Sequence, residues 1–116
     1  MPLPRPLPDD LVELIARRFR VLGEPMRIKL LDRLREGEAT VNELTDALDA
    51  SQQNVSKHLA LLADVGVLGR RKEGTHVYYR IVDESVFALC EAVCGSVQQQ
   101  LQALSELMEG ATADVR

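Results

Sequence analysis

Leu11, Leu14, Ile15, Phe19 and Leu22 recur at spacings of three and four, the stripe of a first helix over about 9–20 with Asp9 or Asp10 as its cap. Gly23 and Pro25 break that stripe. Proline suits the first position of a second helix, whose apolar residues are Ile28, Leu30, Leu31 and Leu34 and which Gly37 stops after about Glu36. Thr40-Val41-Asn42-Glu43 matches a capping box, in which the threonine hydroxyl and the glutamate carboxylate each satisfy a backbone N–H at a helix start. A short third helix follows, with Val41, Leu44 and Leu48 inward. Ser51 is a good N-cap for a fourth helix over about 52–64, whose buried stripe is Val55, Leu59, Leu62 and Val65 and whose stop is Gly66.

The pattern then turns from helical to extended. Gly69-Arg70-Arg71-Lys72 and Val77-Tyr78-Tyr79-Arg80-Ile81 flank Glu73-Gly74, which predicts a β-hairpin over about 67–82 with a basic first strand. Beyond Asp83, a plausible cap, Val86, Cys90, Val93, Val97, Leu101, Leu104 and Met108 form a coiled-coil-like seam on a long last helix, about 84–109. Residues 1–8, with four prolines, predict an extended arm, and 110–116 a frayed tail. The fold class is mainly α with a small β-hairpin: a winged helix-turn-helix domain over 9–109, in the order of four helices, two strands and a helix, with no internal repeat.

With two Phe, two Tyr and no Trp, the 46% of hydrophobic residues means a core of Leu, Val, Ile and Ala, which suits helices. A chain of 116 residues hides a limited share of its apolar surface, so a long apolar helix is better covered by a second copy, and a homodimer is expected. No apolar run approaches the roughly 20 residues of a membrane span, and the Pro-rich start has no signal-peptide core, so the expected location is the cytoplasm, with no membrane partner. In that compartment Cys90 and Cys94 read as reduced thiols that pack, bind metal or respond to oxidant. The net charge of −4 is unevenly spread: residues 51–80 hold an excess of three positives and residues 81–116 an excess of five negatives, which suggests separate jobs.

A recognition helix presents the outward side chains of its first turns to base edges in the major groove. Here those are Gln52, Gln53, Ser56 and Lys57. Gln pairs with adenine in bidentate fashion, Ser reads either partner, and Lys serves guanine or a phosphate. Ser51 offers its hydroxyl to a phosphate beside the exposed N–H groups of the helix start. Arg70, Arg71 and Lys72 put positive charge on a wing at the DNA backbone or minor groove, and His76 lies just past the wing's turn. With His58, the candidate DNA-binding set is Ser51, Gln52, Gln53, Ser56, Lys57, His58, Arg70, Arg71, Lys72 and His76, and the expected partner is double-stranded operator DNA.

Phe19-Arg20-Val21-Leu22-Gly23-Glu24-Pro25-Met26-Arg27-Ile28, Val41-Asn42-Glu43-Leu44, Ser51-Gln52-Gln53-Asn54-Val55-Ser56-Lys57-His58-Leu59 and Gly74-Thr75-His76-Val77-Tyr78-Tyr79 together resemble the successive signatures of the ArsR/SmtB family of bacterial repressors, over about residues 11–108. The resemblance implies a dimer joined through the first and last helices and repression relieved by an inducer. The cysteine cluster usual in the third helix of the family's arsenical sensors has no counterpart in Val41–Leu48. At the positions of its zinc-type site stand Asp83, Ser85, Ser96 and Gln99, of which only Asp83 is a credible ligand. Cys90 and Cys94, four apart on one face of the last helix, would suit As(III), Cd(II) or another thiophilic ion, with the second copy's pair in reach. The same pair could respond to oxidant or sulfide, or simply pack as small hydrophobes.

Enzyme chemistry has little support: His58 and His76 are the only histidines, and no Gly-rich phosphate loop is present. A rival reading is a winged-helix interaction module that docks a protein on its acidic last helix and senses nothing through its cysteines.

Overall fold

The computed structural model describes residues 2–114. Its elements are α1 (Asp9–Leu22), α2 (Pro25–Leu34), β1 (Ala39–Thr40), α3 (Val41–Leu48), α4 (Gln52–Asp64), β2 (Leu68–Glu73), β3 (His76–Ile81) and α5 (Ser85–Asp114). Two compact units divide at Asp83/Glu84, a boundary the hydrophobic pattern does not announce.

In the first unit the helix starts are chemically specified. Glu24 accepts from the Arg27 N–H ahead of Pro25, Thr40 and Glu43 form the capping box, and Ser51 accepts from the Asn54 N–H. At α1 the cap is Pro8, with no side-chain hydrogen bond. Asp9 and Asp10 lie inside the first turn instead, where carboxylates favour the positive end of the helix dipole. Leu30, Leu31 and Leu34 from α2, Leu44 from α3, and Val55, Leu59 and Leu62 from α4 are buried together with Val21, Leu22, Ala39, Val67, Leu68 and Tyr79. α4 sits at the centre, packed on α1, α2, α3 and β2.

The sheet has three antiparallel strands in the order β1-β3-β2, one more than the hairpin expected. Ala39 and Thr40 pair with Tyr79 and Tyr78. A two-residue strand has no period to read, so nothing local announces it. Gly74, at φ +61°, makes the turn between β2 and β3. Gly66, at φ +81°, lets the chain leave α4 for β2. A Cβ at Gly66 would meet only Arg18 Nη2, at 3.6 Å, so the cost of alanine there is conformational. Gly66→Ala is expected to lower stability by about 1 kcal/mol, read as a lower denaturant midpoint at unchanged slope.

The second unit is α5, which continues to Asp114 past Gly110. The tail expected at 110–116 is thus helical through Asp114, and Val115 and Arg116 lie outside the described residues. Val93, Val97, Leu101, Leu104, Leu107 and Met108 are exposed along it.

Candidate nucleic-acid interface

The capping box and the Ser51 cap hold α3 and α4 as a helix-turn-helix pair. Glu43 N–H donates to Thr40 Oγ1 at 3.2 Å, and Thr40 N–H donates to Glu43 Oε1 at 3.2 Å. Asn54 N–H donates to Ser51 Oγ at 3.1 Å, which leaves the Ser51 hydroxyl hydrogen available to an outside acceptor. With Val55, Leu59 and Leu62 facing the core, Gln53 and Lys57, four residues apart, lie on the side of the helix away from them, and with Gln52 in the first turn and Ser56 nearer the buried stripe they line one shallow, open depression. Gln52, Gln53 and Lys57 are exposed and Ser56 half-buried.

His58 stands apart from that group. Its side chain is 12% exposed and points to the junction of α1 and α2. Arg27 Nη1 donates to His58 Nδ1 at 3.1 Å, and Glu24 Oε2 lies 3.8 Å from the same nitrogen. The same guanidinium donates through Nε to the carbonyl of Val21, near the end of α1. His58 therefore links helices and lies apart from the exposed α4 residues with which it was grouped.

On the wing, Arg70, Lys72 and His76 are exposed, and among the described residues Arg70 and Lys72 make no ion pair. Arg71 is differently placed. It pairs with Glu38, donates from Nη1 to Glu73 Oε2 at 2.6 Å, and lies 4.4 Å from the centre of the Tyr78 ring. The Arg71 hydrogen bonds and charge hold the Glu38 carboxyl below its ordinary range, and the two carboxylates raise the guanidinium in turn. Since a depressed carboxyl keeps its charge until the pH falls through the lowered value, this pairing is intact at neutral pH. Glu38 and Tyr78 have no role in the sequence-derived site, because only the β1–β3–β2 pairing brings them to Arg71.

At the far end of α4, Arg18 Nη1 donates to Asp83 Oδ2 at 2.6 Å and Nη2 donates to the Val65 carbonyl at 2.5 Å. Asp83 is thus held by a guanidinium, and among the described residues no three metal-ligating side chains converge. Cys90 and Cys94 are both exposed on α5, one turn apart.

A family model described as a helix-turn-helix domain matches residues 22–70. The chain is 39% identical over 83 residues to the HTH-type transcriptional regulator KmtR of Mycobacterium tuberculosis, covering 72% of this chain and 64% of that protein. The match thus spans less than two thirds of that relative's length. It is 40% identical over 87 residues to the arsenic resistance transcriptional regulator ArsR1 of Pseudomonas putida, covering 72% and 68%. Among solved structures, the homodimeric winged helix-turn-helix DNA-binding domain of a possible ArsR-family regulator from Mycobacterium bovis superimposes with a TM-score of 0.73 at 29% identity, covering 85% of this chain and 94% of that one.

Proposed function

This chain belongs to the ArsR/SmtB family of winged helix-turn-helix regulators, and from that premise we propose that it is a homodimeric, sequence-specific DNA-binding repressor released from its operator by an inducer. The observation that carries the reading is the exposed face of α4. Gln52, Gln53, Ser56 and Lys57 line one depression there, and among the described residues they bond to no other side chain, nor do Arg70 and Lys72 on the wing beyond form an ion pair. In this reading Ser51, Lys57, Arg70 and Lys72 engage phosphates, His76 sits at the wing's edge, and Gln52, Gln53 and Ser56 read bases.

Dimerisation through α1 and α5 is supported by apolar side chains that each helix exposes. On α1 these include Val12, Leu14 and Phe19, and on α5 the run from Val93 to Met108. A two-fold dimer places two half-sites about one helical turn apart, roughly 10 base pairs centre to centre. For the inducer, Cys90 and Cys94 offer two soft donors on one helix face, half of a tetrahedral thiolate site. A second copy completes it, so a thiophilic ion such as As(III) or Cd(II) bound across two copies is the proposed signal.

The DNA reading is tested by fluorescence anisotropy on a duplex from the protein's own upstream region. Affinity is expected to fall steeply as salt rises, because each phosphate contact releases counterions. Gln53→Ala and Ser56→Ala are each expected to lower discrimination between operator and random DNA by about 1–3 kcal/mol. Equal losses on both DNAs would show that other residues read the bases. No binding even at low salt would leave a protein-docking winged helix as the better reading.

A further inference from the structure

The wing carries three adjacent cations, Arg70, Arg71 and Lys72, and alternation along a strand sends the middle one to the opposite face of the sheet from its neighbours. On that face Thr40, Tyr78 and Arg71 stand directly opposite one another across β1, β3 and β2. Glu38, two residues before Thr40, and Glu73, two residues after Arg71, close the row at both ends. Arg71 Nε donates to Glu38 Oε2 at 3.0 Å and to Oε1 at 3.2 Å, and Nη2 also donates to Oε1. Glu38 therefore fills the Nε–Nη2 edge in the two-oxygen geometry by which a guanidinium grips a phosphate. Nη1 is turned to Glu73, and Tyr78 covers one face of the guanidinium. One cation is enclosed by two carboxylates, so the charge of Arg71 is offset within the cluster, with Arg80 also acting on Glu38.

We infer that Glu38, with Glu73, is a positioning residue that withholds Arg71 from DNA: the pair occupies Arg71 as a phosphate would and fastens the wing to β1 at the start of α3. The wing's phosphate contacts then come from Arg70 and Lys72 alone. The inference rests on the DNA-binding reading, since a withheld cation has meaning only for a protein that binds DNA. It also differs from the simplest expectation for a basic wing, in which Arg71→Ala weakens binding to every sequence.

The salt dependence of binding decides it. The slope of log K against log salt changes by about 0.9 for each phosphate that a protein cation newly engages or gives up. Arg70→Ala and Lys72→Ala are each expected to make the slope shallower by about that amount, whereas Arg71→Ala leaves it unchanged. Glu38→Ala/Glu73→Ala frees Arg71 and is expected to steepen the slope by about 0.9, with tighter binding to operator and random DNA alike. Adding Arg71→Ala to that pair should return the slope to the wild-type value. A shallower slope for Arg71→Ala alone, or an unchanged slope for the double carboxylate variant, overturns the inference.

A measurement without DNA guards against variants that merely fold poorly. In the nitrogen-15 NMR spectrum the Arg71 Nε–H signal should be protected from exchange in the wild type, persist when DNA is added, and lose protection in Glu38→Ala. Loss of the wild-type signal on adding DNA would mean that phosphate takes Arg71 and would overturn the inference. If the wild type binds no DNA at any salt, the DNA reading fails with everything built on it. A protected signal in that case would still mark the brace as a real feature of the fold.

Discussion

Leu59→Ala is expected to be among the most destabilising single truncations in the first unit, although Leu59 lies two residues from a proposed DNA contact. Its side chain is fully buried, on the helix that packs against α1, α2, α3 and β2. Removing three buried carbons there costs the lost transfer energy and leaves a cavity that four surrounding elements restrict from collapsing, about 2–5 kcal/mol. Small domains hold roughly 5–15 kcal/mol in all, so the variant should be partly unfolded at temperatures where the wild type is not. Denaturant unfolding by circular dichroism should show a lower midpoint at unchanged slope. DNA binding should fall in proportion to the folded fraction, with the salt slope of the folded protein preserved. Lys57→Ala provides the contrast. Its side chain is exposed, so stability should move by less than about 0.5 kcal/mol, while DNA affinity falls and the slope becomes shallower. A stable Leu59→Ala protein would mean that the core around α4 re-forms without that side chain.

The difference between those two residues is legible in the sequence because it is local. Val55, Leu59 and Leu62 recur at helical spacing, and the faces follow. Thr40, Glu43 and Ser51 are equally legible, since a cap joins residues three apart. His58 carries its own signal: three residues after Val55, it falls at the edge of the buried stripe, even though the residues around it are the proposed base readers. What the sequence does not show depends on pairing between distant segments. Glu38 and Arg71 are 33 positions apart and meet because Ala39 and Thr40 add an edge to the hairpin, a strand too short for periodicity to detect. Arg18 and Asp83 are 65 apart and meet because α4 ends between them. The extent of α5 is hidden for a simpler reason: Gly110 looks like a stop, yet a single helical glycine costs only about 1 kcal/mol and the helix runs through it.

The proposed inducer site has the largest functional consequence, because Cys90→Ser/Cys94→Ser should abolish induction while leaving DNA binding intact. Both thiols are exposed on one helix face, so an ion reaches them without unfolding anything. Serine keeps the size but offers a hard, protonated oxygen that a thiophilic ion does not favour. Under reducing conditions, As(III) or Cd(II) is expected to release the wild-type protein from its operator and to leave the double variant bound. Coupling between two ligands of this kind is typically about 1–3 kcal/mol, so the wild-type operator affinity should drop roughly 5- to 150-fold at saturating ion. By linkage, operator DNA should weaken ion binding by the same factor, which titration with and without DNA measures independently. A single Cys90→Ser or Cys94→Ser change should cost nearly as much as the pair, since a soft-ion site that loses one thiolate in each copy is no longer closed. If the ions release neither protein but hydrogen peroxide releases the wild type alone, the pair works by passing two electrons to the peroxide and forming a disulfide. That bridge sits toward the long end of the allowed separation for residues four apart on a helix, so it should distort α5. Equal responses of wild type and double variant to every ion and oxidant would mean that the cysteines do not sense, and that the inducer binds elsewhere on the dimer.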